Sequence, residues 1–157
     1  NFIQAQDFTG RKFTMKNGEA FKKWVREIGD FIADKKNMSF AAEFAMMTDA
    51  LASFEAIVAM NADWQDANKQ LKQLFATRTL HAAARIYCGK LMLEQGLLAA
   101  SKLAELADDH FDVNFYKGKI ASVKFYIMNV VPEIFGYEKA MKATDTSAID
   151  IPEEAFM

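Results

Sequence analysis

Apolar residues recur at spacings of three and four through most of this chain, which is the pattern of helices that bury one face. The first such run starts at Asn17, a residue type that caps helices. It places Phe21, Trp24/Val25, Ile28 and Phe31/Ile32 on one side before a Lys35-Lys36-Asn37 stop. Ser39 is positioned to cap a second helix with the stripe Phe40, Phe44, Met47, Leu51, Phe54 and Val58, which weakens around Asn61–Asp63. A third stretch runs from about Gln70 to Leu106 and is apolar on several sides, so it is predicted to be central. Gly89 and Gly96 within it let a neighbour approach closely. A fourth helix is predicted from about Asp112 to Val131, with the stripe Tyr116, Ile120, Val123, Ile127 and Val130. Pro132 marks a kink or restart, and a shorter helix follows from Glu133 to about Thr144.

Amphipathic helices joined by short turns predict an all-α protein, an up-down four-helix bundle with a short lead-in segment and a C-terminal helix and tail. The expected division is residues 1–16 as lead-in, 17–144 as bundle and 145–157 as an acidic tail. Ile149, Ile151 or Phe156 are candidates to dock that tail. Composition agrees: 52% of residues are hydrophobic, and only seven Gly and two Pro interrupt the helix formers. Net charge is −2 without any long run of like charge, so the chain lacks the electrostatic footprint of a nucleic-acid binder. Its longest uncharged stretch, Phe125 to Pro132, falls far short of the roughly 20 apolar residues that span a bilayer. Cys88 is the one cysteine, so no internal disulfide or multi-cysteine zinc site is possible. Asn1–Gly10 has no basic and apolar secretion signal, and the cytoplasm is the expected compartment.

Candidate chemistry is sparse. Carboxylate-bridged di-iron bundles need Glu-x-x-His on two helices, but Arg78 stands three residues before His81 and Ala107 three before His110. The glycines form neither G-x-G nor G-x-x-x-x-G-K, so no nucleotide fingerprint exists. Cys88, amid Ile86, Tyr87 and Leu91, reads as a buried inert thiol. Arg78, His81 and Arg85 share one helix face that either holds an anion or, more plainly, pairs with acids on a neighbour. Lys117, Lys119 and Lys124 read as a wet face. The many Phe and Met at helical spacing read as core rather than as a ligand pocket. Taken from its residues alone, this is a bundle with no catalytic, cofactor-binding or metal-binding residue to name.

Three stretches resemble one family. Phe115-Tyr116-Lys117-Gly118-Lys119 through Tyr126, followed by Asn129-Val130-Val131-Pro132, is similar to the last helix of the C-terminal extension in the larger bacterial acyl-CoA dehydrogenases. Ile3-Gln4-Ala5-Gln6-Asp7-Phe8-Thr9-Gly10-Arg11-Lys12 resembles the Ile-Gln-Ala-Leu-Asp-Leu-x-Gly-Arg-Lys that opens that extension. Leu93-Glu94-Gln95-Gly96-Leu97-Leu98-Ala99 on the third helix extends the likeness over nearly the whole chain.

The resemblance implies a parent enzyme in which FAD lies against an acyl-CoA. A glutamate removes the α-proton, and the β-hydrogen leaves as hydride to give a trans-2-enoyl-CoA. That glutamate typically precedes the Ile-Gln in a Tyr-Glu-Gly-Thr run, which places the base just upstream of Asn1. Many relatives also have a glutamine near the flavin where Phe2 stands, so no flavin contact is assigned here. The implied partners are the catalytic domains of the same polypeptide, a second subunit in a homodimer, the acyl-CoA substrate and an electron-transferring flavoprotein. The bundle would pack on the catalytic body, help assemble the dimer or shape the substrate entrance, offering a second apolar face for that purpose.

The alternative is a stand-alone helical interaction module without enzymatic activity. Such a module is expected to begin with methionine close to a cap at Asn17, whereas Asn1–Lys16 reads as a connection from something longer. A membrane-surface role would need the first helix, with Lys22, Lys23, Arg26, Lys35 and Lys36 opposite Phe21, Trp24 and Ile28. The bundle needs that same stripe, so no membrane partner is expected.

Overall fold

A computed structural model describes residues 2–36 and 38–157. Asn1 and Asn37, the latter part of the expected stop after the first long helix, lie outside the described residues. The chain opens with α1 (Phe2–Asp7), which continues as a turn of π-helix over Phe8–Lys12. Then come α2 (Glu19–Lys35), α3 (Ala41–Ala67), α4 (Lys69–Glu105) and α5 (Val113–Phe125). A second π-helical turn, Tyr126–Val130, leads past Pro132 into α6 (Glu133–Lys142), and a 3-10 turn covers Glu153–Phe156.

The up-down order follows from ring and side-chain pairs. Phe31 meets Phe44 while Trp24 meets Phe54, so α2 and α3 run antiparallel. Asn61 reaches Thr79, and Trp64 stacks on Phe75, so α3 turns back sharply into α4. With 37 residues, α4 is about 55 Å long and forms the spine of the bundle. The α5–α6 arm runs back along it, with Val123 against Gly96 and Val131 against Gly89. Both glycines are buried by this packing. A Cβ on Gly96 would lie 3.0 Å from Phe40 and 3.1 Å from Val123. One on Gly89 would lie 2.5 Å from the Met47 sulfur. The close approach expected at both positions is therefore present.

The core draws on every predicted stripe: Ile28 and Ile32 from α2, Phe44, Met47 and Phe54 from α3, Phe75, Ile86 and Leu93 from α4, and Val123 and Ile127 from the α5 arm. Three local expectations change. Asn17 does not cap α2; Lys16, Asn17 and Gly18 all take positive φ, and Gly18 is the cap residue. Ser39 does not cap α3. Phe40 does so at φ 74° without a side-chain bond, because its ring packs against Gly96. The stripe does not fade at Asn61–Asp63 either. Asn61 is buried and donates to the Ile57 carbonyl and the Thr79 hydroxyl, so α3 continues to Ala67. The break falls on Asn68, whose side-chain oxygen accepts from the Leu71 N–H at 3.1 Å and caps α4.

The lead-in is more ordered than its scattered apolar residues suggest. Ala5 and Thr9 are buried, Phe8 and Phe13 pack on the core, and Arg11 pairs with Asp7 at 2.6 Å. In the tail Ile149 is half-buried near Phe2 and Leu74, whereas Ile151 and Phe156 are exposed.

Candidate docking surface

The two faces of α5 differ. Val113, Val123 and Ile127 point into the bundle and are buried. On the outer side of α5, positions 115, 118, 122 and 125 share one helical face, and all are exposed, as is Phe111 in the turn that leads into the helix. Phe111 is 84% exposed, Phe115 57% and Phe125 64%. Met128 and, on α4, Leu98 are exposed as well. Neighbours hold two of these rings in place. Phe111 stacks on His110 at 4.6 Å, and Phe115 sets its edge to Tyr116 at 5.3 Å with the Lys119 ammonium 5.7 Å over its ring. Gly118, in the middle of the row, has nothing within 4 Å of an added Cβ. Single exposed apolar residues are ordinary, whereas several exposed aromatics on one side of a segment form an apolar patch of the kind found at interaction sites.

The basic face of α4 resolves toward ion pairing. Arg85 pairs with Glu133 of α6, its guanidinium sits 5.2 Å over the Tyr137 ring, and the Tyr137 hydroxyl donates to Glu133 at 2.9 Å. Those hydrogen bonds from Tyr137 and Arg85 hold the Glu133 carboxyl below its usual range, while burial pushes the Tyr137 phenol up. His81 lies beside the same ring, and Arg78 stands 5.0 Å over Phe75. The cluster ties α4 to α6 through the Arg85–Glu133 pair and the Tyr137 hydroxyl, while the buried Arg85 Nε has no hydrogen-bond partner.

Cys88 is exposed, contrary to the expected buried thiol, because Ile86 and Gly89 take the inward positions of that turn. Its thiol lies by Tyr126, whose phenol is pushed up to about 12 by burial first and then by this thiol. His110 accepts the Asp112 N–H through Nδ1. Among the described residues, no three His, Cys, Asp or Glu gather as a metal would require. No helix among the described residues is long and apolar enough to cross a membrane. The α2 stripe offered as a membrane face is used inside, with Phe21 and Ile28 buried and Trp24 packed against Phe54.

Reading all Phe and Met as core therefore fails on the outer side of α5. The signal was available: Phe111, Phe115 and Phe125 lie off the Tyr116–Ile120–Val123–Ile127 stripe yet share a helical spacing of their own.

The described residues thus form an all-α bundle with an exposed aromatic patch on the outer side of α5. The sequence model of the family described as "Acetyl-CoA dehydrogenase C-terminal like" matches residues 24–152, and the chain belongs to that family. Over all 157 residues it is 76% identical to one butyryl-CoA dehydrogenase of Syntrophomonas wolfei subsp. wolfei and 64% identical to another. It is 27% identical over 161 residues to a broad-specificity linear acyl-CoA dehydrogenase of Mycobacterium tuberculosis, covering 98% of this chain. In each case it spans 26% of the relative's length. These likenesses favour a domain of a dehydrogenase over a stand-alone module.

Proposed function

We propose that this chain is the helical C-terminal domain of an FAD-dependent acyl-CoA dehydrogenase, docked on the catalytic domains of the same polypeptide through the outer face of α5. The exposed aromatic row carries the reading. Phe111, Phe115 and Phe125 lie outward in a chain that spans about a quarter of its relatives, so most of such a polypeptide lies elsewhere and is available to cover them.

In this reading the parent enzyme removes the α-proton and the β-hydride of an acyl-CoA to form a trans-2-enoyl-CoA. The names of the two Syntrophomonas wolfei relatives point to short acyl chains, butyryl-CoA above all. The glutamate base lies upstream of Asn1, and residues 1–16 lead in from the catalytic body. The clefts here, of about 250 to 430 Å³, are open and short for a dinucleotide, so the residues present do not fit the flavin and no step of its chemistry is placed on them. A homodimer, reoxidation by an electron-transferring flavoprotein and a cytoplasmic location complete the proposal.

The test is anaerobic addition of butyryl-CoA to the full polypeptide that carries this chain. Bleaching of bound flavin is expected. A purified full polypeptide with neither flavin nor bleaching by any acyl-CoA would refute the reading.

A further inference from the structure

Where α1, α3 and α4 meet, the bundle buries polar groups that its packing does not need. Lys72, in the first turns of α4, is 8% exposed, and its ammonium donates to the neutral Gln65 Oε1. Among the described residues no carboxylate lies within 4 Å of it. Lysines are rarely buried without a counter-charge, because removing an ammonium from water is costly unless an anion faces it. Burial lowers the pKa of Lys72, and the charge of nearby Asp66 offsets this only in part.

The space around Lys72 is suited to what is missing. An open cleft of about 330 Å³ is lined by Lys69, Lys72, Gln6, Gln65, Gln73 and Thr9, with no acid in its lining. Gly10, in the π-helical turn, borders the same space, and a Cβ there would meet nothing within 4 Å. A second cleft of about 250 Å³, which shares Thr9, Gln65 and Lys72 with the first, reaches Asn61, which is 1% exposed and whose Oδ1 has no partner. Two lysines and three glutamines line the first cleft, and no arginine does. Lysine holds phosphate as a point charge, whereas a planar carboxylate is better met by the guanidinium fork. A lysine-lined cleft of this volume without an acid suits a compact oxyanion.

We infer that the first cleft binds a phosphate-class oxyanion, with Lys72 as its buried anchor and Lys69 at its mouth. Nothing in this inference depends on the dehydrogenase reading, and its test reads binding rather than turnover.

The experiment is calorimetric titration of inorganic phosphate and pyrophosphate into the full polypeptide in a zwitterionic buffer at constant ionic strength. Saturable binding with a Kd on the order of 1 mM or tighter is expected. Lys72→Met should weaken it at least tenfold and Lys69→Gln about threefold, with Lys117→Gln unchanged. Gly10→Leu, which fills the cleft without touching a charge, should weaken it as Lys72→Met does; circular dichroism checks that each variant is folded. Absence of saturable binding, equal binding by Lys72→Met, or binding of acetate as tight as that of phosphate would overturn the inference.

Discussion

Gly96 and Gly118 sit on helices that pack together, yet their surroundings are opposite. Gly96 of α4 is buried, with Phe40 and Val123 so close that a Cβ would stand 3.0 to 3.1 Å from them. Gly118 of α5 faces open space, flanked on its own helix face by exposed Phe115 and Phe125. The first glycine is explained by contacts within this chain. The second is not, although glycine in a helix costs about 1 kcal/mol relative to alanine. The proposed docking of this face on the rest of the polypeptide would account for both the glycine and the exposed aromatics. Packing inside the domain and docking outside it are thus separable by substitution.

The sharpest break is at the buried glycine. Gly96→Val forces a branched side chain into Val123, itself branched and fully buried, and should destabilise the chain by about 3 kcal/mol in urea unfolding. Gly89→Val should cost less, because the nearest atoms belong to the flexible end of Met47. A next and smaller effect separates the two faces. Phe115→Asp combined with Phe125→Asp should change the stability of this chain alone by no more than about 0.5 kcal/mol, as exposed sites do. In the full polypeptide the same pair should lower the thermal midpoint by several degrees, equivalent to about 1 to 2 kcal/mol of lost docking. Equal midpoints for the full-length variant and wild type would remove the outer face of α5 from the interface.

Sequence periodicity made the bundle legible wherever a helix buries one broad stripe, as in α2 with Phe21, Ile28 and Ile32, and in the spine α4 with its two glycines. It failed where tertiary contact outweighs local preference. Phe40 holds a left-handed backbone because its ring is anchored on Gly96, so Ser39 is not needed as a cap. The lead-in is helical although it contains Thr9, Gly10 and Thr14, because Ala5, Phe8, Thr9 and Phe13 find a surface to cover. The Arg85 pairing was foreshadowed by its helix face, but its partner Glu133 lies 48 residues away and only the fold brings it there. The buried Lys72 was invisible for a similar reason: its spacing is that of any lysine at a helix start, and the cleft beside it is made by three separate elements.

Gly118→Ala sharpens the comparison further. In this chain alone alanine should add about 1 kcal/mol of stability, since the helix gains and nothing is displaced. In the full polypeptide the gain should vanish or reverse if another backbone approaches at that position. The same gain in both would show that Gly118 lies at the edge of the docked face rather than at its closest point.

The smallest expected effect is a pH dependence that belongs to the inner contacts alone. Tyr137 and Arg85 donate to Glu133 and hold its carboxyl below the usual value. A carboxyl depressed by folding stabilises the native state fully above its unfolded pKa, and that contribution is lost as pH falls through the lower folded value. Unfolding midpoints should therefore drop on acidification below the ordinary glutamate range, and Glu133→Gln should flatten that part of the profile. Phe115→Asp with Phe125→Asp should leave this contribution in place, because neither ring touches the Arg85 cluster. A Glu133→Gln profile as steep as wild type would mean that the pair between α4 and α6 carries no measurable part of the fold's stability.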